Sequence, residues 1–240
     1  VKDIISELKN SGFTAYDYTM CSGEGKDTVY SDNYLENAKD LRKYADSLGI
    51  VCNQSHAPFP SSTGKEEEDK VIFDKIVRAM EVASILGAKI IVVHPKQHLI
   101  YPDHPEELFE INVDFYKSLI PYCEKFGIKV ACENMWQWNN GNKVPSDSTC
   151  SRAWEFNKYL DAIDSEWIVG CLDIGHVSLM NTDIPEFIKT MGSKRIKALH
   201  VHDTDFIGDR HTLPFMHKID YIAVAKALAE IGYEGDLTFE

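Results

Sequence analysis

The sequence contains no uninterrupted apolar stretch of the roughly 18 residues that a bilayer-crossing helix requires, so no membrane partner is expected. It also contains no CxxC pair. Its six cysteines (Cys21, Cys52, Cys123, Cys132, Cys150 and Cys171) are scattered, which gives a disulfide framework no spacing to build on. Cys132 and Cys171 lie in apolar, strand-like segments, where a free thiol behaves as a small hydrophobe. Positive charge is scarce: 25 Lys and Arg stand against 38 Asp and Glu, for a formal net charge of −13. Such a surface repels phosphate backbones, and no nucleic-acid partner is expected. No basic-then-apolar leader opens the sequence, so the protein reads as cytoplasmic with reduced thiols. No glycine-rich phosphate loop follows any strand-like segment, which argues against dinucleotide binding.

What is present is ordinary globular composition, 44% apolar and 26% charged over 240 residues, enough for one domain across 1–240 with a substantial core. One unit recurs: an amphipathic helix, a glycine, then a short apolar strand. It appears at Gly12, Gly49, Gly87 and Gly127, spaced by about 40 residues, and again at Gly232. Strands are predicted near 13–19, 50–55, 88–93, 128–133, 168–173, 196–202 and 236–240. Between them, Ile72, Ile76, Met80, Ala83 and Leu86 share one helix face, and Ile111, Phe115, Leu119, Tyr122 and Phe126 share another. The acidic run Glu66–Asp69 suits a helix N-terminus. Alternation of strand and helix predicts βαβ units and a parallel sheet, closed as a barrel or open and doubly wound. A closed (β/α)8 barrel needs a strand before residue 1 and a helix after 240, so the sequence reads as trimmed at both ends.

The strand ends carry the chemistry. In order they read Ser55-His56-Ala57-Pro58, Val93-His94-Pro95-Lys96, Cys132-Glu133-Asn134, Asp173-Ile174-Gly175-His176, His200-Val201-His202-Asp203 and Phe239-Glu240. One histidine at a strand end is ordinarily structural. Six successive ends bearing imidazoles and carboxylates are costly to bury unless something binds them, and a cation resolves that cost. Glu133, Asp173, His200 and Glu240 form an oxygen-rich donor set suited to Mn2+, Mg2+ or Co2+, with Zn2+ compatible. His200 and His202 are two apart on one strand and share a face; His200 is the preferred ligand. His176 sits three residues past Asp173; Asp209 and His211 touch substrate, bind additional metal together with His202, or belong to an ordinary polar loop. Lys96 suits an anionic substrate or plain solvation, and Trp136 with Trp138 suits an apolar wall for a sugar ring or ordinary packing.

These segments, from about residue 10 to 240, resemble the xylose isomerase-like TIM barrel superfamily, which holds sugar-phosphate isomerases and epimerases beside apurinic endonucleases. The resemblance rests on His56-Ala-Pro, His94-Pro, Glu133-Asn, Asp173-Ile-Gly-His176, His200-Val-His-Asp, Asp209-Arg-His211 and the closing Glu240. It implies that Glu133, Asp173, His200 and Glu240 hold the metal, and that Glu133 and Glu240 transfer protons through a metal-bound enediolate. It implies that the His176 position contacts substrate, with His56, His94, Arg210 and His211 as further candidates. The expected function is a sugar or sugar-phosphate isomerase or epimerase acting on a small carbohydrate; a homo-oligomer is compatible. Three alternatives stand: a dehydratase sharing the first proton abstraction, a sugar-binding barrel without catalysis, and a zinc phosphodiesterase. The phosphodiesterase set would be His56, His94, Glu133, Asp173, His176, His200, Asp209, His211 and Glu240.

Overall fold

The computed structural model describes residues 1–20 and 30–240, so Cys21 lies outside the described residues. The chain divides into two compact units, Val1–His94 with Ser118–Val130, and Pro95–Lys117 with Ala131–Glu240.

The first unit opens with α1 (Lys2–Asn10), β1 (Ala15–Thr19), α2 (Tyr34–Leu48), β2 (Val51–His56), α3 (Glu66–Leu86) and β3 (Ile90–Val93). It ends with the second half of α4 (Pro105–Phe126) and the start of β4 (Lys129–Glu133). β1 and β2 pair in parallel from Ala15↔Val51 to Thr19↔His56, and β2 continues onto β3 from Gln54↔Ile90 to His56↔Val92. The helix α3 begins on Glu66, Glu67, Glu68 and Asp69, carboxylates that favour the positive end of the helix dipole. Its buried side is Ile76, Ala79, Met80, Ala83 and Leu86, every one of them at most 1% exposed, while Ile72 is half-buried at its margin.

All five glycines of the repeat have positive φ, from 64 to 96°. At Gly87 (φ 96°) the requirement is double. The backbone sits where an L side chain is strained, and an added Cβ would strike the Arg42 guanidinium. That guanidinium donates to the Leu86 carbonyl at 3.0 Å and pairs with Asp46 at 2.8 Å. Gly49 has a similar conformation with only Lys9 Nζ nearby, at 3.9 Å. Gly87→Ala is expected to lower stability by about 1–2 kcal/mol through backbone strain alone, and by more than Gly49→Ala because Arg42 must also move. Urea unfolding midpoints of the two variants check this; equal losses would remove Arg42 from the account.

The second unit holds the rest of β4, an antiparallel hairpin of β5 (Trp136–Asn139) and β6 (Val144–Asp147), then α5 (Ala153–Ile163) and β7 (Ile168–Asp173). It continues through α6 (Ile174–Leu179), α7 (Ile184–Met191), β8 (Ile196–His200) and α8 (Tyr221–Glu230). β7 is buried along its whole length, as a parallel strand covered on both faces should be. β7 and β8 pair in parallel from Gly170↔Ile196 to Asp173↔His200, with a register shift after Gly170. In hydrogen-bonding order the six strands of the main sheet are β1-β2-β3-β4-β7-β8, the order of the chain.

The expectation of a strand over 236–240 is corrected. Only Phe239 bridges Val201, in parallel, and the Val201 N–H donates to Thr238 O at 2.8 Å. Leu237 and Phe239 are 61% and 45% exposed, so this segment lacks the two-sided cover of its neighbours. β8 likewise ends at His200 rather than at 202. The hairpin β5–β6 is absent from the sequence expectation, although Asn140-Gly141 between the two Trp-containing and Val-containing runs is a turn signal. Among the described residues, Cys52, Cys123, Cys132, Cys150 and Cys171 are free and buried. Among the described residues no helix is long and apolar enough to cross a membrane.

Candidate metal centre

Apolar strands deliver polar tips. Val130, Ala131 and Cys132 are fully buried, so β4 is fixed and its last residue, Glu133, is held at 1% exposure. Next to it, Asn134 accepts the Asp173 backbone N–H at 2.8 Å and donates its amide to the Asp173 carbonyl at 3.0 Å, locking the end of β7 to the end of β4. Asp173 then caps α6: its Oδ1 accepts the His176 N–H at 2.6 Å. The Asp173↔His200 pairing brings the tip of β8 alongside.

One ring nitrogen collects these groups. His200 Nδ1 lies 3.3 Å from Glu133 Oε1, 3.8 Å from Asp173 Oδ2 and 3.1 Å from Glu240 Oε2. The ligand-capable atoms of Glu133, Asp173, His200 and Glu240 all fall within 4.8 Å of one another. Three carboxylates and one imidazole, most of them buried, concentrate negative charge where water is scarce. That donor set fits a divalent cation. His202 Nε2 lies 3.1 Å from each Asp173 oxygen, and His202 also falls in ligand-capable groups with Asp173 and His176 and with His211 and Glu240.

A second cluster adjoins. Asp209 Oδ2 lies 3.2 Å from His176 Nε2 and 3.1 Å from His211 Nε2, and the Trp136 indole N–H reaches it at 3.4 Å. The loop bearing Asp209 and His211 hangs from Asp203, a fully buried residue that sequence reasoning assigned no role. The Asp203 carboxylate accepts the N–H groups of Thr204 at 2.8 Å, His217 at 2.8 Å and Ile219 at 3.2 Å. Its backbone N–H donates to Thr212 O at 2.7 Å. Asn134 was likewise visible only as part of a motif; its function is geometric, and nothing in a single sequence marks it.

Other candidates are placed differently. Arg210 pairs with Asp205 at 2.9 Å, and Lys96 lays its ammonium over the Phe115 ring, 5.3 Å from its centroid. Trp138 is 45% exposed and packs edge-on to Trp136. His56 and His94 belong to the first unit, where their Nε2 atoms face each other at 3.1 Å and Phe59 stacks on His94.

Burial opposes charge on His176, yet Asp173, Asp209 and Glu133 outweigh it and push the imidazole up to about 10. Burial likewise opposes charge on His200, but the Cys171 sulfur, Glu133 and Glu240 hold it well above the ordinary histidine value. His211 is raised, chiefly by its bond to Asp209. The sign follows. In the metal-free protein the raised His176 contributes stability that is complete below about 6.5 and lost as pH rises through about 10. A cation needs the neutral imidazole of His200 and must displace its proton, so affinity should climb by up to about tenfold per pH unit near neutrality. Titration calorimetry in buffers of different ionisation enthalpy should register a released proton; zero release would contradict it.

A family model described as xylose isomerase-like TIM barrel matches residues 5–240. Among curated relatives, the uncharacterized protein MJ1311 of Methanocaldococcus jannaschii is 28% identical over 98% of this chain and 77% of its own length. The chain spans 50% of the length of a second relative, the uncharacterized protein y4fM of Sinorhizobium fredii. It is 26% identical to that relative over 67% of this chain. Among solved structures, a D-tagatose 3-epimerase-like protein superposes with a TM-score of 0.81 at 24% identity, over 97% of this chain and 84% of the other. IolI, solved with a bound zinc atom, gives 0.77 at 22% identity, over 99% and 83%. At these identities the likeness to the solved structures is one of fold.

Proposed function

Because this chain belongs to the xylose isomerase-like TIM barrel family, we propose that it is a divalent-metal-dependent sugar or sugar-phosphate epimerase or isomerase, a single cytoplasmic domain acting on a small carbohydrate. The observation that carries this is the convergence of Glu133, Asp173, His200 and Glu240 within 4.8 Å. The 3-epimerase likeness named for one structural neighbour and the zinc bound by another support the class of chemistry.

A divalent cation held by those four residues would supply Lewis-acid polarisation of a hydroxy-ketone or hydroxy-aldehyde carbonyl. Glu133, buried beside two imidazoles, removes the proton from the carbon next to that carbonyl and leaves an enediolate. Glu240, whose side chain is 30% exposed, returns a proton. Return on the opposite face gives epimerisation; return at the former carbonyl carbon, with the hydroxyl proton passing to the other enediolate oxygen, gives isomerisation. His176 orients a substrate hydroxyl, with Asp209 holding its ring, and Trp136 supplies an apolar wall beside it.

The test is proton exchange. Ketoses and their phosphates, incubated with the manganese-loaded protein in heavy water, should take up deuterium at the carbon beside the carbonyl, read by NMR. A panel in which no ketose exchanges overturns the proposal.

A second reading, phosphodiester cleavage with several zinc ions, draws on Asp209, whose carboxylate lies between His176 and His211. Zinc stoichiometry near three, with cleavage of abasic duplex DNA, would favour it. One bound ion with ketose exchange would not.

A further inference from the structure

We propose that His202 is a positioning residue of the metal centre, fixing the Asp173 carboxylate in the orientation a cation requires, and that residue 175 is glycine in order to admit its ring. This rests on the reading of Asp173 as a metal ligand.

The ring is fully buried, and its Nε2 lies equidistant, at 3.1 Å, from both Asp173 oxygens. A donor on that bisecting line sets the plane and rotation of the carboxylate, while the His176 N–H at 2.6 Å pins Oδ1. On the side of the proposed centre, His200 Nδ1 is 3.8 Å from Oδ2. Carboxylates that bind metals are commonly oriented by such outer hydrogen bonds.

The ring is itself held on every side. His211 stacks on it at 4.3 Å and 9°, His176 meets it edge-on at 6.0 Å, and the Tyr221 hydroxyl donates to its backbone carbonyl at 2.6 Å. The remaining side is Gly175. A Cβ there would fall 2.5 and 2.6 Å from the two ring nitrogens and closer still to Cε1. Gly175 carries no positive φ, so backbone conformation does not explain it; the close approach of the imidazole does. His202 Nδ1 has no hydrogen-bond partner among the described residues, so the contact with Asp173 is the principal polar work of this side chain.

The geometry yields a paired test. Manganese affinity, measured by the EPR signal of free Mn2+, should weaken about 10- to 100-fold in His202→Ala. Gly175→Ala should weaken it comparably, because the new methyl drives the ring off Asp173. In the His202→Ala background the same methyl meets no ring, and adding Gly175→Ala should change affinity less than about threefold. The visible spectrum of bound Co2+ should keep its shape in His202→Ala, since no ligand is lost. A variant that binds manganese as the parent does, an equal cost of Gly175→Ala in both backgrounds, or a Co2+ spectrum of altered coordination each overturns the inference. A parent that binds no manganese overturns the metal reading and this inference with it, whereas an unaffected variant of a binding parent overturns this inference alone.

Discussion

Glu133→Gln is expected to cut turnover by about two to four orders of magnitude, the usual contribution of a positioned general acid or base. The substitution keeps the side-chain volume and one oxygen that can face a cation, but removes the negative charge and the site that accepts a proton. The fall should appear equally in kcat and kcat/KM, the mark of an interaction made in the transition state. Loss of metal would give a similar fall, so metal content is measured alongside. A variant that retains its ion and still exchanges substrate protons at the parental rate would remove Glu133 from the mechanism.

Loading the centre should change stability as much as chemistry. Three carboxylates meet around His200, and in the metal-free protein their mutual repulsion opposes folding. A cation present at a hundred times its dissociation constant stabilises the native state by about 2.7 kcal/mol. For a domain of this size, that corresponds to a rise in Tm of roughly 5–11 °C. Thermal melts with manganese, cobalt, zinc and magnesium, before and after stripping with a chelator, check the prediction. His200→Ala should lose most of the rise. Melts that do not shift with any of the four ions would remove the centre as a metal site.

Much of this was legible in the chain. The helix–glycine–strand repeat placed β1, β2, β3 and β4, and apolar runs alone placed β7 and β8, to within a few residues, because buried parallel strands announce themselves as short, nearly continuous apolar runs. The ends of those runs are where Glu133, Asp173 and His200 stand. Three things were not legible. That His202 meets both Asp173 oxygens while His200 faces Glu133 and Glu240 depends on how the β8 register meets β7 at Asp173, a tertiary fact. The segment 236–240 has the alternation of a strand, yet it forms only one bridge because it is exposed. The parts of Asn134 and Asp203 lie in hydrogen bonds to partners that sequence alone does not identify, Asp173 for one and His217 and Ile219 for the other.

Asp203 has a consequence for how such a protein can diversify. A single buried carboxylate gathers backbone donors from both ends of the stretch 204–219, closing that stretch into a ring fastened at one point beside β8. Doubling the length of a closed loop costs only about 0.6 kcal/mol. Insertions and exchanges within the ring, which carries Asp209, Arg210 and His211, can therefore accumulate while the strand tip that bears His200 stays where it is. A chimaera that transplants the whole ring between relatives, cut just after Asp203 and just before Ile219, is the natural unit of exchange, and it carries along the contacts of Asp209 with His176 and of His211 with His202.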